Sequence, residues 1–236
     1  MDFFPIASSS KGNAYVIKHK GVSPLLLEAG IPIRKIRENE HINFSLSGIA
    51  GCLISHEHMD HAKAVNDLLK AGVYCAMSLG TAGALGVVNH HRTMILKSEV
   101  VSIIGGWNIL PFALKHDASE PLGFIVGYGS ECLLFIPDTA YVIPTFPGIS
   151  IVVIECNHSE EILTSKILNG SLLPVVGRRI RRNHMSLETV IGMLRVNDLS
   201  RCNQIWLIHL SDGNSDERAM IRAVQEATGI TTKAAE

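Results

Sequence analysis

The stretch Ser55-His56-Glu57-His58-Met59-Asp60-His61 is the most informative part of this sequence. An apolar run at residues 49–54 precedes it and predicts a strand, and an apolar face over residues 62–71 predicts a helix after it. The whole sequence has 11 histidines in 236 residues, so chance alone rarely places three of them with an aspartate in one such run. Burying these side chains together without a metal ion would cost free energy. The stretch therefore predicts a metal site in a loop between a strand and a helix.

The spacing within the stretch indicates two metal ions. His56 and His58 are two residues apart at the end of a strand, so both imidazole rings can face one point. Asp60 and His61 can turn towards a second point close by. Imidazole and carboxylate together suit Zn, Mn or Fe, and the ions of a two-metal site lie about 3.5–4 Å apart. We therefore expect a dinuclear site.

Four ligands cannot complete the coordination of two ions, so further ligands are expected at other strand ends. His116, Asp138 and His209 each appear abruptly after an apolar run. The runs are residues 109–114, 132–136 and 204–208, and each predicts a strand that leaves the core at this point. One such residue alone is more often a solvated turn residue. Three of them beside a complete first cluster are interpreted as metal ligands.

Short apolar runs rich in β-branched residues predict strands along the whole chain. The predicted strands are residues 14–17, 24–27, 49–54, 73–77, 100–104, 109–114, 124–126, 132–136, 149–154 and 204–208. The predicted helices are residues 62–71, 159–168, 186–196 and 216–227, with Ser159 and Ser215 as expected N-caps. Two batches of strands, each with helices, indicate an α/β fold with two mixed sheets face to face and helices outside, an αββα four-layer sandwich. No linker or local repeat divides the sequence, so a single domain over residues 1–236 is expected.

The composition is that of a globular protein with a large core, since hydrophobic residues make up 47% and charged residues 18%. The net charge of -1 argues against a protein that coats nucleic acid by charge alone. The five cysteines form no C-x-x-C pair and indicate thiols in a reducing compartment. The sequence has neither a signal-peptide pattern nor an apolar run that could span a bilayer, so we expect a cytoplasmic protein without a membrane partner.

The seven candidate ligands resemble, in their order along the chain, the metal motifs of the metallo-β-lactamase superfamily. They are His56, His58, Asp60, His61, His116, Asp138 and His209. Further stretches are similar to one branch of that superfamily, the YycJ/WalJ-like proteins related to RNase Z. These stretches are residues 8–14, 116–118, 120–124, 155–158 and 183–186. The fold is also shared with the compact phage anti-Pycsar phosphodiesterases.

This resemblance implies how the ligands divide between two divalent ions, with zinc expected and manganese as the alternative. His56, His58 and His116 would hold one ion, Asp60, His61 and His209 would hold the other, and Asp138 would bridge both. The ions would supply an attacking hydroxide and neutralise charge on a phosphoryl oxygen. Asp60 and His184 are the expected catalytic residues, and His184, in an H-x-S pattern, would protonate the leaving oxygen as the general acid.

Two other segments are expected to contact the phosphate of a substrate. Ser8, Ser10 and Asn13 lie in a glycine-containing loop that suits either this role or a plain turn with exposed amides. Arg182 belongs to a basic run at residues 178–182 next to the expected general acid, although runs of this kind are usually solvated.

Three more residues are expected to support the metal ligands. Asn157 and His158 follow a predicted strand and would orient ligands or cap a helix. Glu28 stands where the superfamily usually has an aspartate that orients metal ligands. Its longer side chain implies either a displaced strand end or a different contact.

Hydrolysis of a phosphodiester bond is the function that the resemblance implies. A bridging Asp138 and the His184 motif favour it over thioester or lactam hydrolysis, and the intact ligand set argues against a metal-free binding scaffold. The substrate is left open between a single-stranded nucleic acid, as for RNase Z-like nucleases, and a cyclic mononucleotide, as for the anti-Pycsar phosphodiesterases. A homodimer is also implied.

Overall fold

The structure, a computed structural model, describes residues 1–42 and 45–235. Contacts along the chain group it into two compact units. The first comprises Met1–Ala113 and Ala118–Cys132, and the second comprises Leu114–Asp117 and Leu133–Ala235. Each unit therefore combines segments that are distant in sequence. The expectation of a single domain stays a prediction.

The first unit contains a six-stranded sheet and three further strands. The sheet has the order β1 (Asp2–Ala7), β2 (Ala14–His19), β3 (Val22–Leu27), β4 (Gly51–Leu53), β5 (Cys75–Met77) and β6 (Thr93–Ile95). Strands β1 to β3 are antiparallel, and β3 to β6 are parallel. The strands β7 (Ser102–Ile104), β8 (Trp107–Ala113) and β9 (Leu122–Tyr128) pair antiparallel. Since β3 and β4 run in the same direction, the residues that follow them lie at one edge of the sheet.

The helices of the first unit are short. They are α1 (Ile33–Arg37), α2 (Met59–Ala62), α3 (Val65–Lys70) and α4 (Leu79–Ala84), with 3₁₀ turns at Glu40–Ile42 and Leu46–Gly48. Leu26 of β3, Cys52 of β4 and Leu68 of α3 are fully buried in one hydrophobic cluster. This packing fixes both ends of the segment that carries the four clustered candidate ligands.

The helix predicted at residues 62–71 is wrong at its start, because two separate helices, α2 and α3, occupy this region. The amide of Ala29 donates to the carbonyl of His61 at 2.7 Å, and the amide of Ala64 donates to the carbonyl of Ala29 at 2.8 Å. The backbone of Ala29 thus binds groups that a continuous helix would use for its own hydrogen bonds. Helical periodicity cannot reveal such a contact, because it comes from a distant part of the sequence.

The second unit is built on parallel strands. They are β10 (Glu131–Ile136, of which Leu133 onwards belongs to this unit), β11 (Ile151–Glu155), β12 (Gln204–Ile208) and β13 (Thr232–Ala234), side by side in this order. Its helices are α5 (Glu160–Leu168), α6 (Pro174–Asn183), α7 (Leu187–Val196) and α8 (Glu217–Thr228). The carboxyl ends of β10, β11 and β12 meet at one edge, where parallel sheets commonly bind ligands. Asp138, Glu155 and His209 lie at that edge.

Three helices of the second unit begin at a side-chain N-cap. Ser159 accepts a hydrogen bond in the first turn of α5, as predicted, and Ser186 does the same for α7. The prediction of Ser215 for α8 is wrong, because Asp216 accepts from the amide of Ala219 at 3.0 Å. The hydroxyl of Ser215 instead donates to a carbonyl four residues earlier. Serine and aspartate are equally good N-caps, so residue type alone cannot rank two neighbours.

The ten predicted strands are confirmed, with their bounds shifted by a few residues. Strands β1, β6 and β13 and helices α1, α4 and α6 were not predicted. Pro5 lies inside β1, and α6 is rich in arginine, so neither has the apolar periodicity on which such predictions rest. In the part of the chain that the structure describes, no helix combines the length and the apolar character that a bilayer crossing needs.

Gly30, just after β3, offers a test of how tightly the ligand segment is held. A Cβ atom there would overlap the carbonyl of Asp60 and approach the amide of Asn13. We expect Gly30→Ala to lower the free energy of unfolding by about 3 kcal/mol, because two backbone segments must separate. Chemical denaturation measures this loss.

The matched control is Gly83→Ala. Gly83 is exposed in α4, and a Cβ atom there would meet nothing within 4 Å. This variant should be neutral or more stable by up to about 1 kcal/mol, since alanine favours helix. Equal unfolding free energies for the two variants would contradict the proposed overlap.

Candidate functional site

Three histidines of the first unit gather where β4 ends. The ring of His56 lies 4.6 Å from that of His58 and 4.2 Å from that of His61, measured between centroids. His56 and His61 are buried, whereas His58 is half-buried and begins α2. The Oγ atom of Ser55 lies 2.8 Å from Nδ1 of His56. This contact orients the ring and leaves Nε2 to act as a ligand atom.

Asn13 holds the same segment from the other side. Its backbone amide donates to the carbonyl of Asp60 at 2.7 Å, and its side-chain nitrogen lies 3.3 Å from Nε2 of His61. Its side-chain oxygen accepts hydrogen bonds from Ser9 and Tyr15. Asn13 is fully buried, and its expected contact with a substrate phosphate stays a prediction. The structure gives it a positioning role at the candidate ligands.

Glu28 is buried beneath His61. Its Oε2 atom lies 3.6 Å from Nδ1 of His61 and accepts from the amide of Ser55 at 3.4 Å. Burial raises the pKa of Glu28, and its contacts with His61 oppose that rise. The backbone of Glu28 is left-handed, with φ of 60°. The backbone thus turns sharply after β3, and the longer side chain of Glu28 still reaches His61, a candidate ligand.

Asp138 is the central carboxylate of the second unit and is 3% exposed. His116 Nε2 lies 3.8 Å from its Oδ2 atom, and His184 Nδ1 also lies 3.8 Å from Oδ2. His209 Nδ1 lies 3.7 Å from Oδ1. Three imidazole rings therefore surround one buried carboxylate.

His184 follows α6 and contacts a second buried carboxylate. Its Nδ1 atom lies 3.0 Å from Oε2 of Glu155. The other oxygen of Glu155 accepts from the amides of Thr139 at 2.5 Å and Met185 at 3.1 Å. Burial alone lowers the pKa of His184, but the charges of Glu155 and Asp138 outweigh this effect and raise the pKa to about 9. Glu155 thus fixes both the position and the protonated state of this ring in the metal-free protein.

The remaining histidines of the second unit are held by backbone and amide groups. Nδ1 of His116 lies 2.9 Å from the carbonyl oxygen of Asn183, and burial lowers the pKa of His116. The side-chain nitrogen of Asn157 lies 3.3 Å from Nδ1 of His209 and 3.2 Å from its carbonyl. His158 is buried, and its Nε2 atom lies 3.3 Å from Oε1 of Glu160.

Residues 25–210 match the family described as Beta-lactamase superfamily domain. The chain belongs to this superfamily.

Two curated relatives from this superfamily carry nuclease names. The chain is 29% identical over 225 residues to Exodeoxyribonuclease WalJ of Streptococcus pneumoniae, which covers 89% of this chain and 81% of that protein. It is 26% identical over 238 residues to Exodeoxyribonuclease YycJ of Bacillus anthracis, which covers 95% of this chain and 88% of that one. These names support the prediction of a metal-dependent phosphodiester hydrolase.

Solved structures share the fold. The metallo-β-lactamase fold protein YhfI of Bacillus subtilis superposes with a TM-score of 0.76 at 13% identity, covering 99% of this chain and 95% of that one. The short form of human tRNase Z gives a TM-score of 0.63 at 14% identity, covering 90% and 93%. The predicted fold class, the mixed α/β metallo-β-lactamase fold, is confirmed.

The donor atoms of this superfamily member suit a divalent cation. Ligand atoms of Asp138, Glu155, His184 and His209 all lie within 4.8 Å of one another. The separations of 3.8 Å between Asp138 and His116 and of 3.7 Å between Asp138 and His209 exceed hydrogen-bonding range. Two atoms that each lie about 2.0–2.2 Å from a shared zinc ion can be this far apart. Imidazole and carboxylate are also the donors that such ions prefer.

The structure leaves some expected roles as predictions and adds one residue. Ser8 is half-buried with its hydroxyl 2.9 Å from that of Tyr15, and Ser10 is exposed, so their substrate contact stays a prediction. Arg182 is exposed on α6. Sequence reasoning missed Glu155, which contacts His184. Its signal was an acidic residue at the end of a fully buried strand, Ile151–Glu155.

Replacing Glu155 by glutamine tests its hold on His184 in metal-free protein. The carboxylate raises the pKa of His184 to about 9, so Glu155→Gln should move that pKa downward, as followed by NMR titration of the imidazole. A raised histidine pKa stabilises the folded state below the unfolded pKa, and this contribution disappears as the pH rises through 9. The variant should therefore lose less stability than wild type over this alkaline range.

The control is Glu226→Gln, which removes a charge from an exposed position on α8. It should leave the titration of His184 where it is in the wild type. If the pKa of His184 is unchanged in Glu155→Gln, the carboxylate of Glu155 does not control the protonation of this ring.

Proposed function

We propose that this protein is a metal-dependent nuclease that hydrolyses phosphodiester bonds in single-stranded DNA. The observation that carries the proposal is that two candidate metal ligands, Asp138 and His209, lie beside the Glu155–His184 pair, with polar side-chain atoms of all four residues within 4.8 Å of one another. The group combines metal-ligand chemistry with a histidine held by a buried carboxylate. The exodeoxyribonuclease names of two relatives supply the substrate class.

Seven residues would share two ions in the proposed centre. His56, His58 and His116 would hold one ion, Asp60, His61 and His209 would hold the other, and Asp138 would bridge them. The assignment is supported by the gathering of His56, His58 and His61 in the first unit. It is also supported by the two oxygens of Asp138, each of which lies 3.7–3.8 Å from an imidazole nitrogen.

The chemistry divides between the ions and the protein. Two bound divalent ions supply a hydroxide nucleophile at neutral pH and neutralise charge on the phosphoryl oxygens. His184 keeps Nδ1 on Glu155, so Nε2 is available to donate a proton to the leaving oxygen. Asp60 would act beside it as a ligand at the reacting phosphate.

Other substrates make different demands on these residues. Hydrolysis of a thioester or lactam needs no general acid of the His184 type, so the Glu155–His184 pair favours a phosphodiester. A cyclic mononucleotide has the same reacting group as a strand. The relatives' names favour the strand, and turnover of both substrates decides between them.

The proposal also includes the identity of the metal, the cellular compartment and the oligomeric state. Zinc suits the mixed imidazole and carboxylate donors, with manganese as the alternative. All five cysteines are free thiols, which fits the reducing cytoplasm. A homodimer follows from the resemblance stated above.

Variants of the ligands and of the general acid should separate binding from chemistry. His58→Ala and Asp138→Ala should lose bound metal and turnover together, because each removes a ligand. His184→Ala should keep its metal and lose about 100-fold or more in kcat, the usual contribution of a general acid. Metal content is measured by elemental analysis, and turnover with bis-p-nitrophenyl phosphate.

His91→Ala is the control for these variants, because His91 is exposed and lies outside both clusters. It should retain metal and activity. Wild-type enzyme with zinc or manganese should hydrolyse single-stranded DNA faster than RNA, cyclic mononucleotides, thioesters or lactams. The proposal would be refuted if the wild-type protein did not bind metal in stoichiometric amounts, or if kcat were unchanged in His184→Ala.

A further inference from the structure

Helix α6 carries four arginines in ten residues and no acidic residue. Arg181 is fixed against α5, since its Nε atom lies 3.0 and 2.8 Å from the two oxygens of Glu160 and its terminal nitrogen lies 2.8 Å from Thr164. This pairing lowers the pKa of Glu160. Arg181 therefore anchors α6 to α5, and the other three arginines of α6 do not make this contact.

The other arginines share a different face of α6. At about 100° per residue, Arg178, Arg179 and Arg182 fall within one arc of about 100°, and Arg181 falls outside it. They line a groove of about 830 Å³ together with Arg181, Val175, Asp117 and Asn183. Arg179 lies 3.7 Å from Asp117, and both side chains are largely exposed. Among the described residues, Arg178 and Arg182 have no hydrogen-bond or ion-pair partner, so the groove carries uncompensated positive charge.

The groove leads to the candidate site within the same unit. Asn183, which lines it, donates to Asp117 at 2.7 Å and contacts His116 through its carbonyl oxygen at 2.9 Å. The next residue along the chain is His184. A negatively charged molecule in the groove would therefore extend directly from the reacting phosphate.

A solvated helix end is the simpler explanation for these arginines. Cations in a last turn do interact favourably with the helix dipole, and Arg182 is placed for this. Arg178 is too far from the end to benefit, and it repels Arg182 at i, i+4 by a few tenths of a kcal/mol, about the size of a helix ion pair. A concave surface that keeps such repulsion is better explained by an anion that occupies it.

We propose that the groove of α6 binds the phosphodiester backbone of a DNA single strand beside the bond that is cut. Arg178 and Arg182 are about 6 Å apart along the helix axis, so they can contact successive phosphates. A cyclic mononucleotide has one phosphate and cannot use both. The inference rests on the proposed function and makes the substrate a strand.

The test is strand binding to the metal-loaded protein carrying His184→Ala, in which turnover is slow. A fluorescein-labelled 12-nucleotide DNA strand is titrated at several salt concentrations and followed by anisotropy. Adding Arg178→Gln and Arg182→Gln should weaken binding at least tenfold at low salt. It should also reduce the slope of log K against log salt by about 1.4, since each single-strand phosphate contact contributes about 0.7.

The matched control replaces Arg195 and Arg222, exposed arginines on α7 and α8, by glutamine. It makes the same change in net charge and should keep both affinity and slope. In active enzyme, the groove variant should lose at least tenfold in kcat/KM on the strand and less than threefold on bis-p-nitrophenyl phosphate.

Three results would overturn the inference. The first is that the groove variant and the control variant weaken strand binding equally. The second is that the groove variant loses activity equally on the strand and on bis-p-nitrophenyl phosphate. The third is that sedimentation shows the groove variant to have lost a contact with a second copy of the chain or with another acidic protein. The proposed function fails separately, if wild-type enzyme hydrolyses none of the phosphodiesters while strand binding still depends on the groove.

Discussion

Burying a carboxylate requires positive charge next to it, and this requirement organises the second unit. Asp138 and Glu155 lie at the carboxyl edge of a parallel sheet and are 3% and 0% exposed. Without compensation, such burial would cost several kcal/mol for each group, about the effective penalty for a buried ion. His184, whose pKa these acids raise, provides part of the compensation, and divalent ions would provide the rest. The sheet makes this possible because its parallel strands end together, so the acids and imidazoles meet without long loops.

In the first unit, the loop at residues 56–61 carries four candidate ligand side chains and has to be held in place. Ordinary backbone hydrogen bonds do most of this. Ala29 ties the end of β3 to both sides of the helix break, and Asn13 binds the carbonyl of Asp60. Gly30 allows these segments to approach because it has no side chain. The loop with the candidate ligands is thus held by backbone contacts with residues that lie far from it in the sequence.

Much of the fold and of the candidate ligand set could be predicted, because both depend on a pattern within short windows. Apolar runs that end abruptly in His116, Asp138 or His209 indicate strand ends whichever residues lie elsewhere. The failures come from contacts between distant segments. Nothing near residues 62–71 reveals that Ala29 interrupts the helix, and Asn13 looks like an exposed turn residue until Asp60 packs on it. Glu155 was missed because a glutamate after apolar residues is an ordinary way for a strand to end.

Two of the three non-glycine residues with positive φ in the described chain are Glu28, with φ of 60°, and His209, with φ of 55°. A left-handed backbone at such residues costs about 1–2 kcal/mol each, and a glycine would avoid most of that cost. Selection for resistance to heat alone would therefore favour the loss of these two side chains. While Glu28 and His209 are kept, a gain in stability has to come from substitutions at other positions.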